Sequence, residues 1–450
     1  MIFYALSREE MIQKYLELEK EKDKLKKEIE KVKKEKEALE KELRKYKNPN
    51  TPPSANPHLK PAFSKTINVK THQRGAPKGH PGANREWKAE DVQKQIHAEE
   101  CPQCHSKNIE KIGERHQQQD EMPPDIKPVT VDIYRDVCRC NNCRLKFVAR
   151  DGCTPIQGRF GLNLMVLVIF LKFIVRGVLR KTSVFLTEGF GASLAPATVQ
   201  AIVARVAKAG ETEYEMLKQK ILAATLLYID ETSFSVLGKN WWVWAFRSDT
   251  DILLVIRNSR GNSVLEEILG KAYSGIVVCD CWRAYDFLSF ARIQRCWAHL
   301  LRKSKELCSS VVGRHLHEKL SCMFDDIKKF NSTVRTEKQR ARKYALMTAK
   351  LQRLITYYSQ YEECSVVIKY IDFHIESWFT CILYDGVEPT NNFAEQAIRE
   401  TVMVRKIIGA FRSIQGTKVY ETLASLIATW QMQKKDLRNE LSRMISQHMC

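Results

Sequence analysis

Leu226-Leu-Tyr-Ile-Asp230 and Gly275-Ile-Val-Val-Cys-Asp280 bound the part of the chain from which its architecture can be inferred. Both are short apolar runs that end at an aspartate, as buried strands do when they reach the edge of a sheet. Between them, the runs 241–246 and 252–256 predict two more strands, and 262–272 predicts a helix. The predicted order is strand, strand, strand, helix, strand, with a carboxylate after the first and the fourth strands.

This order is that of a ribonuclease-H-like fold, in which three antiparallel strands precede a helix and a strand parallel to the first. The crossover places the carboxyl ends of the first and fourth strands side by side. Asp230 and Asp280 could then share a hard divalent cation. A single aspartate at a strand end is more often a turn residue, so the prediction depends on the order of the elements.

A third carboxylate is expected from a helix later in the chain. The loop 385–392 ends in two asparagines, and Asn391 or Asn392 can cap the helix that follows. Glu395 lies in the first turn of that helix, and we predict it as the third ligand. Three converging carboxylates suit a pair of Mg²⁺ ions, or Mn²⁺ in their place.

The composition restricts the classes of protein that are compatible with the chain. Its 450 residues carry 73 Lys and Arg against 53 Asp and Glu, a net charge of +20. This excess indicates a polyanionic partner, with nucleic acid the leading candidate, although many basic proteins bind nothing specific. No apolar run approaches the roughly 20 residues of a membrane span, and the N-terminus lacks an export signal. We therefore expect a cytoplasmic protein without a membrane partner, whose 14 cysteines are thiols or metal ligands.

Residues 8–47 are predicted to form a coiled coil. Apolar residues recur every seven positions, at 11, 18, 25, 32, 39 and 46, and a second core position follows four residues later. Lys22 and Lys36 occupy two core positions, which costs stability but can fix the register. A single solvated helix with so narrow an apolar stripe is marginal, so a homo-oligomer is favoured. Residues 48–95 follow as a basic linker rich in Pro and Gly.

Residues 96–152 are predicted to be a zinc-binding module that resembles a zinc ribbon. Cys101-x-x-Cys104 and Cys140-x-x-Cys143 each place two thiolates in one tight turn, and together they make a closed tetrahedral site. Cys138 and His105 are alternative ligands. Because such a site leaves no open coordination position, this Zn²⁺ is expected to be structural. Four buried thiols are the competing interpretation.

Residues 155–215 are predicted to be a helical, DNA-binding region. An apolar segment from Leu162 to Leu179 and a second helix that begins near Pro196 flank a break that contains two glycines. This arrangement resembles a helix-turn-helix, although generic helical packing explains the pattern equally well. The catalytic domain is predicted to span 222–430, with an all-helical insertion at about 304–384.

Four stretches of the chain resemble the IS66 family of transposases, which bacterial and archaeal insertion sequences encode. They are Tyr228-Ile-Asp-Glu-Thr232 with Trp241-Trp-Val-Trp244; Val278-Cys-Asp280 with Tyr285; Cys296-Trp-Ala-His-Leu-Leu-Arg-Lys303; and Glu388-Pro-Thr-Asn-Asn-Phe-Ala-Glu-Gln-Ala-Ile-Arg399 with Arg405-Lys406. The heptad helix, linker, four-cysteine segment and helical region also follow the order of that family. The resemblance implies a multidomain α/β protein in which Asp230, Asp280 and Glu395 form a DDE catalytic triad.

The resemblance also implies a reaction and its partners. It implies metal-dependent cleavage at transposon ends and strand transfer into target DNA, in the prokaryotic cytoplasm and close to the nucleoid. Terminal inverted repeats and target DNA are the expected ligands, self-pairing through the coiled coil is expected, and accessory proteins are a further class of partner. The alternatives are a nuclease or resolvase on the same fold, a non-catalytic zinc-stabilised DNA-binding regulator, and a degenerate copy.

Auxiliary residues are predicted near the triad. Cys296 and His299 match a Cys-x-x-His element found after the second aspartate in several DDE families. This element can order the active site or contact the DNA end, although a packed strand-to-helix junction explains it equally well. Basic residues are in excess between 396 and 420, which predicts phosphate contacts close to the scissile bond. The basic residues are Arg399, Arg405, Lys406, Arg412 and Lys418, of which the first four are the predicted DNA contacts. Arg399 can instead orient Glu395, one turn away.

Overall fold

The structure is a computed structural model, and it describes residues 25, 28–32, 35–36, 102–108, 110, 126–373 and 375–449. The chain forms two compact units, residues 1–126 and residues 127–450. In the first unit, the described residues between 25 and 36 are helical, in agreement with the helix predicted over 8–47. Leu25, Ile29 and Val32, at predicted heptad core positions, are exposed. The remainder of that helix and the linker 48–95 lie outside the described residues, so coiled-coil pairing stays a prediction.

The second unit is a mixed α/β structure. Its strands are β1 Val137–Arg139, β2 Lys146–Val148, β3 Leu226–Val236, β4 Lys239–Arg247, β5 Ile252–Arg257, β6 Ile276–Cys279, β7 Arg292–Arg295 and β8 Ala410–Phe411. Its α-helices are α1 Leu162–Ile169, α2 Leu179–Phe190, α3 Pro196–Ala209, α4 Glu211–Ala223, α5 Asn262–Leu269, α6 Trp297–Lys305, α7 Val311–Asn331, α8 Glu337–Tyr358, α9 Ser365–Asp372, α10 Thr380–Leu383, α11 Asn392–Ile408, α12 Ile414–Met432 and α13 Leu437–Met449. A π-helical turn, Phe170–Ile174, follows α1, and 3-10 turns occur at Arg283–Phe287, Glu362–Cys364 and Ile375–Trp378.

The main sheet has the strand order β5-β4-β3-β6-β7. β3, β4 and β5 form an antiparallel meander, whereas β6 is parallel to β3 and β7 is parallel to β6. The four strands and the helix predicted between 226 and 280 are confirmed in this order. β8 adds a short parallel pair with the end of β3, and β1 and β2 form a separate hairpin.

Helices cover both faces of the sheet. Leu227 and Ile229 of β3 pack in a core that α1, α3, α4, α12 and α13 share. Tyr228, between them, belongs to a second core on the opposite face, which contains residues of α6, α7 and α8. This burial on both faces explains why β3 begins as an uninterrupted apolar run, since alternation is expected only where one face meets water.

The predicted apolar helix from Leu162 to Leu179 is interrupted in the structure. α1 passes into the π-helical turn, and the chain then bends at Arg176, whose φ is 60°. Gly177 follows, and its N–H donates to the Leu171 carbonyl at 2.8 Å. A β-carbon on Gly177 would lie 2.6 Å from the Thr182 hydroxyl and 2.7 Å from the Leu171 carbonyl oxygen, so the bend requires glycine. α3 begins at Pro196 as predicted, with Ala195 at the N-cap.

Residues 304–384, between the second and third acids, are mostly helical, as predicted, and contain α7, α8 and α9. Buried Arg340 of α8 ties it to the loop before α11, because its guanidinium donates to the Ile382 carbonyl at 3.1 Å and to Asp385 at 2.5 Å. Within the part of the chain that the structure describes, none of the helices combines the length and the apolar character needed to cross a membrane.

Candidate active site

A gap in the pairing of β3 marks the candidate active site. On one side of this strand, β6 pairs with Leu226–Tyr228 and β8 pairs with Ser235 and Val236. Asp230 lies between the two paired segments. Asp280 is the first residue after β6, so it stands at another border of the same gap. The structure therefore places both predicted aspartates where strand pairing stops.

The third predicted acid joins them from a helix. Glu395 is in the first turn of α11, which packs on β3 and β4. Burial is the largest cause that raises the pKa of Asp230, to about 8. The negative charges of Glu231, Asp280 and Glu395 also contribute to this rise. The three predicted acids are thus within electrostatic reach of one another.

The donor set suits a hard divalent cation by its chemistry. Carboxylate oxygens are the preferred ligands of Mg²⁺, and a cation between them removes the repulsion that raises the pKa of Asp230. Asp230, Asp280 and Glu395 are therefore the residues that could hold such an ion. As the side chains are placed, no three His, Cys, Asp or Glu residues of the described chain are grouped closely enough to enclose one.

Two side chains from α11 and its N-cap bind the unpaired part of β3. Asn391, which is fully buried, donates from Nδ2 to the Ile229 carbonyl at 2.7 Å. Arg405 donates from Nη1 to the Thr232 hydroxyl at 3.0 Å and to the Ser233 carbonyl. Asn391 occupies the predicted N-cap position, but its side chain makes no cap hydrogen bond and is used on β3 instead. The helix that carries Glu395 is thereby held to the strand that carries Asp230.

Cys296 lies at a packed junction between strand and helix. The thiol is fully buried and accepts a hydrogen bond from the Asn391 backbone N–H at 3.1 Å. The next residue, Trp297, donates its N–H to the Pro389 carbonyl at 3.0 Å. Burial is the main cause that raises the pKa of Cys296. These contacts favour the junction interpretation for Cys296, which fixes the loop in front of α11.

His299, one turn further along α6, faces the third acid. Its Nε2 is 3.9 Å from Glu395 Oε1, and Arg302 Nη2 is 4.0 Å from the same oxygen. Burial is the main cause that lowers the pKa of His299, which favours the neutral imidazole. Its Nδ1 is buried and makes no hydrogen bond within the described chain. The two members of the Cys-x-x-His element thus have different surroundings, one structural and one at the site.

Asp280 is held by residues that sequence reasoning missed. Trp282 donates its backbone N–H to Asp280 Oδ1 at 2.8 Å. Arg295, almost fully buried, donates from Nη1 to the Asp280 carbonyl at 2.6 Å and pairs through Nη2 with Asp286 at 2.7 Å. Arg260 lies 3.9 Å from Asp280 Oδ2. The only signal in the sequence was the position of Arg295 directly before the Cys-x-x-His element.

The predicted DNA-contacting residues fall into two groups. Arg399, Lys406 and Arg412 are exposed. Arg405 is half-buried and is used on β3, and burial lowers its pKa. A phosphate contact stays a prediction for all four residues, and for Arg405 the structure adds a contact that holds α11 in place.

The predicted zinc ligands are divided between the two units. Cys101 lies outside the described residues, Cys104 is in the first unit, and Cys140 and Cys143 are in the second. In the second, backbone N–H groups of Cys143 and Asn142 lower the pKa of Cys140, as expected for a thiolate ligand. Each CxxC pair is followed by a residue with positive φ, His105 at 55° and Arg144 at 61°. The four-cysteine site itself stays a prediction.

Comparison with known proteins identifies the class to which this fold and site belong. A sequence profile described as "Transposase IS66 family" matches residues 157–419, which include the main sheet and all three acids. The chain therefore belongs to the IS66 family of transposases. It is also similar to the uncharacterized protein y4qI of Sinorhizobium fredii, with 22% identity over 266 residues. That match covers 52% of this chain and 49% of y4qI, so the chain spans about half the length of this curated relative.

Proposed function

We propose that this chain is a DDE-type DNA transposase, which cuts DNA at the ends of its element and joins the freed ends to target DNA. The observation that carries the proposal is that Asp230 lies in a gap of the sheet where the charges of Asp280 and Glu395 both act on it, in a chain of a transposase family. The antiparallel meander followed by two parallel strands supports a ribonuclease-H-like assignment for the domain.

We propose that Asp230, Asp280 and Glu395 hold Mg²⁺ or Mn²⁺. If held there, a pair of such ions would supply activation of water or a 3′-hydroxyl and stabilisation of the leaving oxygen of the scissile phosphate. The protein's own part is to keep the three carboxylates in place. The Trp282 N–H orients Asp280, and Asn391 and Arg405 hold α11 to β3. Asp230 releases its proton when a cation binds, because the positive charge reverses the effect of its acidic neighbours.

The proposal also gives roles to His299 and to the segments outside the catalytic domain. His299, neutral and beside Glu395, orders that carboxylate or accepts a hydrogen bond at the DNA end. The four-cysteine segment, folded around structural Zn²⁺, and the helical region α1–α3 recognise the terminal inverted repeats. The N-terminal heptad helix pairs protomers, which brings two DNA ends together. Arg399, Lys406 and Arg412 contribute exposed positive charge beside the site.

The triad is tested by cleavage and joining of DNA. The full-length protein is incubated with Mg²⁺, duplexes that carry the ends of its own element, and a target plasmid. We expect Asp230→Asn, Asp280→Asn and Glu395→Gln each to lower the cleavage rate about a hundredfold or more, since each removes a ligand of the cation that would stabilise the transition state. Asp325→Asn is the matched control, because Asp325 is exposed on α7 and its ion pair within the described residues is with Lys328, one turn away.

Each competing function gives a different result in this assay. Retained cleavage by Asp280→Asn would remove that residue from the triad. Cleavage without joining identifies a nuclease or resolvase. Binding to the element ends without cleavage by the unmodified protein identifies a non-catalytic regulator or a degenerate copy.

A further inference from the structure

Arg260, on the loop between β5 and α5, holds a buried carboxylate next to the triad. Its Nε donates to Glu231 Oε1 at 2.8 Å, and its Nη2 is 2.8 Å from the same oxygen. The Glu231 side chain is fully buried, and its other oxygen accepts the Tyr285 hydroxyl at 2.7 Å. Because both oxygens of Glu231 are bound, this carboxylate fixes one edge of the guanidinium group.

Two indole rings also contact this guanidinium. Its Cζ is 4.8 Å from the ring centroid of Trp242 and 4.2 Å from that of Trp282. The Trp282 indole N–H donates to the Arg260 carbonyl at 3.0 Å, which ties the ring to the same loop. Cation–π contacts of this kind hold a planar guanidinium in one orientation. Arg260 is therefore preorganised before any ligand arrives.

The same cluster is bound to the second acid of the triad. Trp282 orients Asp280 through its backbone N–H, and Arg260 Nη2 is 3.9 Å from Asp280 Oδ2, beyond hydrogen-bond distance. The side chain of Arg260 is 32% exposed and that of Asp280 is 21% exposed. A fixed positive charge thus reaches solvent directly beside Asp280.

We propose that Arg260 binds a phosphate of the DNA strand that is cut at Asp280, an inference that rests on the function proposed above. Glu231 occupies Nε and Nη2, and the indoles contact the guanidinium group itself. Nη1 has no hydrogen-bond acceptor among the described residues, so it is the donor left for an incoming group. An anionic oxygen is the acceptor that this group binds most strongly.

The charge of the site explains why such a residue is needed. Glu231, Asp280 and Glu395 are three carboxylates near one gap, and they repel a DNA backbone. A fixed arginine at the edge of the group lowers this repulsion for one phosphate, and its preorganisation means that little reorientation accompanies binding. Glu231 serves as the anchor of Arg260 and has no direct contact with DNA in this proposal.

The experiment measures coupling between Arg260 and single phosphates. Duplexes that carry the element end receive one uncharged methylphosphonate at each position around the cut in turn. Their affinity for the unmodified protein, Arg260→Lys and Arg260→Gln is measured with Ca²⁺ in place of Mg²⁺. We expect Arg260→Gln to bind the unmodified duplex about tenfold more weakly. At one substituted position, the affinity of the unmodified protein should fall by the same factor. The affinity of Arg260→Gln should not fall further at that position.

Controls distinguish loss of the phosphate contact from a structural effect of the substitution and from loss of the proposed function. Arg443→Gln is the matched control, because Arg443 of α13 pairs with Glu213 of α4 and with Glu440 of α13, and is 41% exposed. Arg260→Lys keeps the positive charge beside Glu231. It is the variant to compare if Arg260→Gln does not fold. A penalty that is equal for every substituted duplex, or no penalty, overturns the proposal. Cleavage with Mg²⁺ is measured on the same duplexes, so loss of the proposed function is seen separately from loss of the phosphate contact.

Discussion

β5 and β3 each have a segment without a neighbouring strand on one side, and the two segments have different surroundings. β5 is an edge strand, and α12 covers it. Thr429, Ser425 and Glu421 accept the N–H groups of Ile252, Leu254 and Ile256, respectively, at 2.9, 2.8 and 2.5 Å. Four residues of a helix rise about 6 Å, close to the length of two residues in a strand, so one helix can supply an acceptor for every second residue.

The gap in β3 is covered only at its ends. Asn391 binds Ile229 and Arg405 binds Thr232 and Ser233, whereas Asp230 lies between them within the influence of the other acids. At the edge strand β5, polar side chains of one helix accept the free backbone N–H groups. In β3, part of the strand stays without such partners among the described residues and carries a carboxylate. In the first case the hydrogen bonds serve stability, and in the second they serve position.

The largest expected effect concerns the charge in the gap. Without divalent cations, Asp230 keeps its proton in the folded state up to a pKa of about 8, against 3.8 ordinarily. Between these values the folded state binds the extra proton, so the free energy of unfolding falls as pH rises, by up to about 1.4 kcal/mol per pH unit. Asp230→Asn should therefore be more stable than the unmodified protein at pH 8 by a few kcal/mol, and by much less at pH 5.

Denaturation by urea at both pH values, with EDTA present, measures this difference. Asp325→Asn, exposed on α7, serves as the control and should leave the pH dependence unchanged. Addition of Mg²⁺ should stabilise the unmodified protein at pH 8 and have little effect on Asp230→Asn. Equal pH dependence in the two proteins would show that Asp230 is charged in the folded state.

The next largest effect concerns the contact that holds α11 to the gap. Asn391→Leu keeps the size of the side chain but removes the donor to Ile229, so Glu395 moves relative to Asp230. A displacement of about 1 Å at a reacting centre costs on the order of a hundredfold in rate. We expect the cleavage rate to fall by this factor while the affinity for element ends stays unchanged. Arg405→Lys keeps a donor and the charge, so its cleavage rate should fall less. A parallel loss of DNA affinity in Asn391→Leu would argue against a positioning role.

The smallest effect is expected at the closed edge. Thr429→Val and Ser425→Ala each leave a buried N–H of β5 without an acceptor, which costs about 2 kcal/mol of unfolding free energy. Cleavage per folded molecule should not change, because α12 binds β5 and not the gap. Thr356→Val is the matched control, since its exposed hydroxyl donates only to the Gln352 carbonyl within α8. Loss of activity without loss of stability would show that the two regions are not independent.

Local patterns predicted β3, β4, β5, α5 and β6, because each is an apolar run bounded by turn residues. They did not predict β7, whose sequence Arg292-Ile-Gln-Arg295 is mostly polar. Gln294 is nevertheless fully buried, because it donates to the Trp378 carbonyl and accepts the Cys381 N–H. These partners are more than 80 residues away, so no window of sequence contains the hydrogen bonds that make the strand possible.

The sequence by itself determined which carboxylates stand at strand ends and in what order the strands follow, because short apolar runs and turn residues act locally. Only the tertiary structure decided which groups face those carboxylates. Asn391 reaches Ile229 across 162 residues, and Arg260 reaches Glu231 across 29. A hydrogen bond depends on where two distant segments meet, and packing of both faces of the sheet sets that meeting point. The acids could therefore be predicted from the sequence, whereas Arg260 and the role of Asn391 on β3 required the folded chain.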